Sequence, residues 1–284
     1  MVSIIICSRS KKKNTELIKN ITETIGNVVF EVIWIDNSEN RYSIFQAYNE
    51  GVRLAKYQYL CFMHEDILFH SNNWGITAID QMNDNKKIGM LGVIGGRYVS
   101  KYSHSWFTYN TMRYGKVIQG YKYHGKYKTK ISSYLNNNQD KEVVTIDGLW
   151  MFIRHDLFDG KVVWDTKTFS GFHFYDMDIS LQIVKAGYRI EIAPITIEHK
   201  SCGYYNKMFW DNYLLFHDKW IHFLPIGTST FTEKDEIECD HILQKRIYND
   251  KLLIIEDEEI LIKTGYRRLQ ALFLRIKNKL KKKK

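Results

Sequence analysis

The chain has 284 residues, 44% apolar and 26% charged, enough to bury one large core or two smaller ones. Its net charge of +9 sits at the end: residues 267–284 hold nine Lys and Arg and no acid, and the remainder has as many bases as acids. A neutral body argues against a general nucleic-acid binder, and no run approaches the roughly 18–20 apolar residues that span a bilayer. Cys7, Cys61, Cys202 and Cys239 show no paired metal spacing, and the start lacks a basic, secretion-type leader. A reducing, cytoplasmic setting is expected.

In chain order, residues 2–7 form a short β-branched run and predict a buried strand. Residues 14–25 place Leu17, Ile18, Ile21 and Ile25 at helical spacing, with Gly26 as a stop. Residues 31–35 predict a second strand, 44–55 a second helix, 59–63 a third strand, 72–82 a helix and 88–93 a fourth strand. Such alternation predicts an α/β fold with a mainly parallel sheet flanked by helices. Ligands in these sheets bind at the carboxyl ends of the strands, where Ser8-Arg9, Asp36-Asn37-Ser38 and His64-Glu65-Asp66 fall.

Residues 97–140 have weak periodicity and read as a long insertion or flexible loop. An apolar strand pattern resumes over 143–153 around Asp147-Gly148. Residues 172–186 predict a helix stopped by Gly187, and 188–193 a strand. His199 follows a further apolar run at 192–197, and aromatic helical patterning follows it. Residues 1–225 are expected to form the nucleotide-binding domain, and 226–284 a helical C-terminal extension ending in a basic amphipathic tail.

The ordered series Val2-Ser3-Ile4-Ile5-Ile6, Asp36-Asn37-Ser38, Ala47-Tyr48-Asn49-Glu50-Gly51, Phe62-Met63-His64-Glu65-Asp66, Asp147-Gly148, Tyr175-Asp176-Met177-Asp178 and His199 resembles the family 2 glycosyltransferases. That family has the GT-A fold, and the resemblance runs from about residue 2 to 203. It implies a metal-dependent, inverting transfer of a sugar from a UDP- or GDP-linked donor to a saccharide or lipid-linked acceptor, as in cell-surface polysaccharide synthesis. Asp66 matches the last carboxylate of the family's D-x-D-like motif and, with His199, is expected to hold Mn2+ or Mg2+. Ser8, Arg9, Asp36, Asn49, His64 and Glu65 are carried over to the nucleotide, although Asp36 could instead close an Asx turn with Asn37 and Ser38, and Glu65 could be structural.

Asp176 matches the family's catalytic base, a carboxylate that takes the acceptor hydroxyl proton. Asp147, Gly148, Trp150 and Asp178 are carried over to the acceptor side. Asp176 and Asp178 also sit where a helix start stabilises any carboxylate. The chain departs from the family pattern twice, with His64 in place of an acid and Tyr175 in place of a Glu. A protein that keeps the fold but only binds nucleotide or sugar is therefore the alternative. A sugar-phosphate nucleotidyltransferase is disfavoured, since residues 8–14 lack the glycines of a phosphate loop. In the tail, Leu269, Leu272, Phe273, Ile276 and Leu280 share a helical face among bases, a pattern for peripheral binding to an anionic membrane.

Overall fold

The computed structural model describes residues 1–101, 103–107, 112–135, 141–201 and 206–239. The expectations for 242–264 and for the basic tail lie outside the described residues.

The chain opens with strand β1 (Val2–Ser8), helix α1 (Thr15–Thr24), β2 (Phe30–Asp36), α2 (Ile44–Leu54) and β3 (Tyr59–Met63). It continues through β4 (Ile67–Phe69), α3 (Trp74–Asp84), β5 (Ile88–Gly92), β6 (Ile94–Gly96) and β7 (Tyr98–Val99). Then come β8 (Arg113–Tyr123), β9 (Lys126–Ser133), β10 (Glu142–Val143), β11 (Thr145–Ile146) and β12 (Trp150–Arg154). After them come α4 (Tyr175–Lys185), β13 (Arg189–Ile192), β14 (Ile197–His199), α5 (Lys207–Trp220) and β15 (Ile226–Gly227), and residues 233–239 are helical.

Seven strands form the main sheet in the order β10-β13-β5-β12-β3-β1-β2. β1 runs parallel to β2 and β3, β13 runs parallel to β5, and β12 lies antiparallel between β3 and β5. Residues 4–7 of β1 form a continuous apolar run because helices cover both faces of the sheet. Ile5 packs on one side with Phe62, Met151 and the aromatic face of α5. Ile4 and Ile6 pack on the other with Leu17, Ile21 and Trp74 of α1 and α3. Local chemistry sets the helix starts: the Asn14 side chain accepts from Leu17 N, and Ser43 with Gln46 closes a capping box on α2. Gly51 lets α2 lie on β1, because a Cβ there would stand 2.3 Å from Ile5 Cγ2.

The segment expected as a long loop is largely sheet. β8 and β9 form a hairpin whose two turn residues, His124 and Gly125, have φ of 48° and 75°. That is the left-handed geometry a tight hairpin turn needs. The hairpin escaped the sequence reading because its outer part is exposed on both faces, so it shows no apolar alternation. It belongs to a second sheet, β11-β6-β8-β14-β4, with β9 beside β8. The single strand expected over 143–153 is three, β10, β11 and β12, interrupted at Asp147-Gly148. Beyond residue 225, β15 pairs with β7 against the same body.

Candidate functional site

The carboxyl ends of β1, β2 and β3 lie side by side, with Ser8 in register with Asp36. Asp36 Oδ1 accepts Ser38 N at 2.9 Å, and this backbone bond, helped by Lys11 and Arg41, holds the carboxyl below its usual range. Asn37 pins the loop behind it by donating to Tyr42 O and accepting from Tyr42 N, at 2.9 and 2.8 Å. Arg9 is exposed, its guanidinium 6.0 Å from the Phe172 ring centre.

Three residues expected at the nucleotide have other work. The Glu65 carboxylate accepts Arg9 N at 2.9 Å and the Ser8 hydroxyl, while Glu65 O accepts from Asn14 Nδ2 at 3.0 Å. Glu65 therefore clamps the β1–α1 loop to the turn after β3. The Ser8 hydroxyl is buried inside that clamp and also accepts Ser10 N at 2.9 Å. Asn49 donates to Trp164 O at 2.7 Å and braces α2 against a distant loop.

Four segments meet at the turn after β3. β14 pairs antiparallel with β4, which sets His199 opposite Ile67, and Lys200 N donates to Asp66 O at 2.9 Å. His64 N donates to Leu149 O at 3.1 Å, which draws the Asp147-Gly148 turn alongside. His64 Nδ1 and His199 Nε2 face each other at 3.3 Å, and Asp66 Oδ1 lies 3.9 Å from the first and 3.5 Å from the second. A point equidistant from these three atoms is about 2.1 Å from each, the bond length of imidazole and carboxylate ligands on a first-row divalent ion. Two imidazoles and one carboxylate could hold such an ion. Burial pushes the His64 imidazole down to about 4, with His199 adding to the effect. Burial opposes ionisation of Asp66, but the hydrogen bond and charge of His199 outweigh it and hold the carboxyl well below its usual range.

The two departures from the family pattern touch each other. His64 Nε2 lies 2.7 Å from Tyr175 Oη, so the Tyr175 hydroxyl meets the imidazole on the edge away from Asp66. Tyr175 opens α4 after Phe174, which takes a φ of 67° and turns the chain into the helix. Its ring passes over Gly148, where a Cβ would stand 2.2 Å from Tyr175 Oη. Asp176 follows in the first turn, and its carboxylate accepts Gly148 N at 3.2 Å and Met177 N at 2.8 Å. Burial, reinforced by the Asp147 charge, pushes the Asp176 carboxyl up to about 7. Asp147 is itself raised by burial, while its Oδ1 accepts Leu149 N at 3.1 Å.

Two acceptor-side expectations are corrected. Asp178 is 1% exposed and faces away, bonded by Trp220 Nε1 at 2.8 Å, Gln182 Nε2 at 2.7 Å and Lys219 Nζ at 2.7 Å. Trp150 is fully buried beside Trp74 and Phe152 and cannot stack on a sugar. The sequence reading missed Tyr175 as a partner of His64, and Gln119, whose Nε2 donates to His199 O at 3.2 Å. No periodicity marks either residue; only the non-standard residue beside Asp176 hinted at the first.

The solved structures similar to this chain include GalNAc-T7 with UDP, GalNAc and Mn2+, at 10% identity and a TM-score of 0.53. That match covers 95% of this chain and 54% of the other, so this chain spans about half the length of GalNAc-T7. TarS 1–349 of S. aureus in complex with UDP-GlcNAc matches at 13% identity and a TM-score of 0.52, over 97% of this chain and 81% of that one. At these identities the likeness is one of fold. No curated protein matches the sequence. The model of a glycosyltransferase like family matches residues 3–220, and the chain thus belongs to the family 2-like glycosyltransferases, with the GT-A fold.

Proposed function

We propose that this glycosyltransferase moves a sugar, with inversion, from a UDP- or GDP-linked donor to a hydroxyl of a saccharide or lipid-linked acceptor in cell-surface polysaccharide synthesis. The observation that carries the reading is the convergence of His64 Nδ1, His199 Nε2 and Asp66 Oδ1 on one point at the strand ends. The Mn2+ and UDP bound to GalNAc-T7 and the UDP-GlcNAc bound to TarS support the same type of donor.

In this reading Asp36 binds the base or ribose, and Arg9 approaches the diphosphate from the exposed side. His64, Asp66 and His199 hold Mn2+ or Mg2+, which when bound supplies positive charge to the departing nucleoside diphosphate. Asp176 takes the proton from the acceptor hydroxyl as its oxygen attacks the anomeric carbon and the bond to the diphosphate breaks. A carboxyl raised to about 7 suits that task, because a base of this strength is ionised in much of the protein yet still accepts a proton readily. Asp147 lines the acceptor side and raises the affinity of Asp176 for its proton. The structure has no helix long and apolar enough to cross a membrane among the described residues. Peripheral attachment to the inner membrane face through the basic tail completes the proposal.

Calorimetric titration with UDP and with GDP, with and without manganese, tests the donor site. Manganese-dependent binding by wild type and its loss in Asp66→Ala are expected. Binding of neither nucleotide under any condition would sink the reading.

A further inference from the structure

Residues 85–139 contain ten Lys and Arg and no Asp or Glu, so a second acid-free stretch lies within the otherwise balanced body. Its outermost part is the β8–β9 hairpin, in which every residue from 121 to 131 is exposed. Large aromatic side chains stay in solvent there: Tyr121 is 37% exposed and Tyr123 53%. A two-stranded ribbon exposed on both sides gains little from its own packing, so such residues are unusual without a partner.

The pairing register sorts the side chains. Tyr121 opposes Lys128, Tyr123 opposes Lys126 and Gln119 opposes Lys130, and directly opposed residues share a face. One face therefore carries Gln119, Tyr121, Tyr123, Lys126, Lys128 and Lys130. His199 pairs with Gln119 across β14 and β8 and belongs to that same face. The other face is tied back to the body, since Tyr127 Oη donates to Glu198 Oε1 at 2.5 Å. Among the described residues none of the three lysines is paired with a carboxylate, and Lys128 Nζ lies 4.7 Å from the Tyr123 ring centre.

We propose that this lysine–tyrosine face docks on an anionic phospholipid surface, which would bring a lipid-linked acceptor to the edge bearing His199. Lysines meet headgroup phosphates while tyrosines settle at the polar–apolar boundary, a division of labour that a soluble polyanion would not require. The tail repeats the chemistry in sequence, with nine bases and no acid around Leu269, Leu272, Phe273, Ile276 and Leu280. The proposal rests on the glycosyl-transfer reading only for the identity of the cargo, and vesicle binding is measured without donor.

Full-length protein is sedimented with phosphatidylcholine vesicles, with and without phosphatidylglycerol, in a background where Lys281→Ser, Lys282→Ser, Lys283→Ser and Lys284→Ser weaken the tail. Adding Lys126→Ser, Lys128→Ser and Lys130→Ser should lower partitioning onto the anionic vesicles on the order of a hundredfold. Tyr121→Ser with Tyr123→Ser should weaken binding while leaving its salt dependence unchanged. An unchanged thermal midpoint confirms that the lysine variant is folded. Equal binding with and without the three lysines, or equal binding to neutral vesicles, overturns the proposal. Tighter binding to soluble polyphosphate than to vesicles, lost in the lysine variant, also overturns it and assigns the face to a polyanionic acceptor. Manganese-dependent nucleotide binding by the same preparations reports separately on the donor site.

Discussion

Where the proposal puts the donor, Ser8, Glu65 and Asn14 bind one another and the backbone, while Arg9 is exposed and Asp36 half-buried. Where the proposal puts the metal, His64 Nδ1, Asp66 Oδ1 and His199 Nε2 lie 3.3–3.9 Å from one another, and Tyr175 packs on Gly148 and meets His64. The first arrangement satisfies its own polar groups and fixes a loop. The second sets three possible ligand atoms within 3.9 Å of one another, two of them already joined by the His199–Asp66 hydrogen bond. A polar residue at a strand end is thus no guarantee of ligand contact; what its neighbours already satisfy decides.

The largest expected effect separates the base from its neighbours. Asp176→Asn should lower kcat by about 10²–10⁴-fold with little change in donor affinity, measured by steady-state transfer and by calorimetry. In wild type, kcat should rise with pH through about 7 and then level, because the base must be ionised. Stability has the opposite sign. The folded state keeps the Asp176 proton between 3.8 and about 7 while the unfolded chain releases it, so this group costs stability as pH rises through that window. Asp176→Asn should therefore melt higher than wild type at pH 8. A lower melting point there would show that Asp176 has a charged partner the structure does not provide.

Next in size are the residues moved from the site to the core. Trp150→Ala removes a fully buried indole and should cost about 3–5 kcal/mol of stability by denaturant titration. Asp178→Ala leaves Trp220 Nε1 without its acceptor and should cost about 2–3 kcal/mol. Lys219 keeps a second partner, Asp165 at 2.8 Å, which limits the loss. If folded Asp178→Ala lost transfer activity as deeply as Asp176→Asn, the division between base and brace would fail.

The parallel half of the fold was legible because β1, β2 and β3 carry short apolar runs and helices α1 and α2 begin on recognisable caps. Asp66, Asp176 and His199 were legible as candidates because they fall at the ends of such elements. The roles of Glu65, Asn49, Asp178 and Trp150 were not, since each is decided by burial or by a partner such as Ser8, Trp164 or Trp220, which lie 57, 115 and 42 residues away and which no local pattern records. The hairpin was missed for a related reason. Its polar, two-sided exposure mimics a loop, and its register appears only in the pairing of β8 with β9.

The smallest effect tests the contact between the two departures from the family pattern. For His64 Nδ1 to offer a lone pair to a cation, the ring proton must sit on Nε2, where Tyr175 Oη at 2.7 Å can accept it. When no cation is bound, the same hydroxyl can instead donate to Nε2, with the ring proton of His64 on Nδ1. A glutamate, the usual residue at this position, could serve only the first arrangement when ionised. Tyr175→Phe should therefore weaken manganese binding about tenfold, with the melting point little changed. Gly148→Ala should act in the same direction, because its methyl group would occupy the space of Tyr175 Oη and push the ring from His64. Nitrogen-15 shifts of the His64 ring should move towards the Nε2–H form when magnesium binds to wild type. Unchanged manganese affinity in Tyr175→Phe would mean that His64 is oriented by its own loop, and that the meeting of the two unusual residues is packing alone.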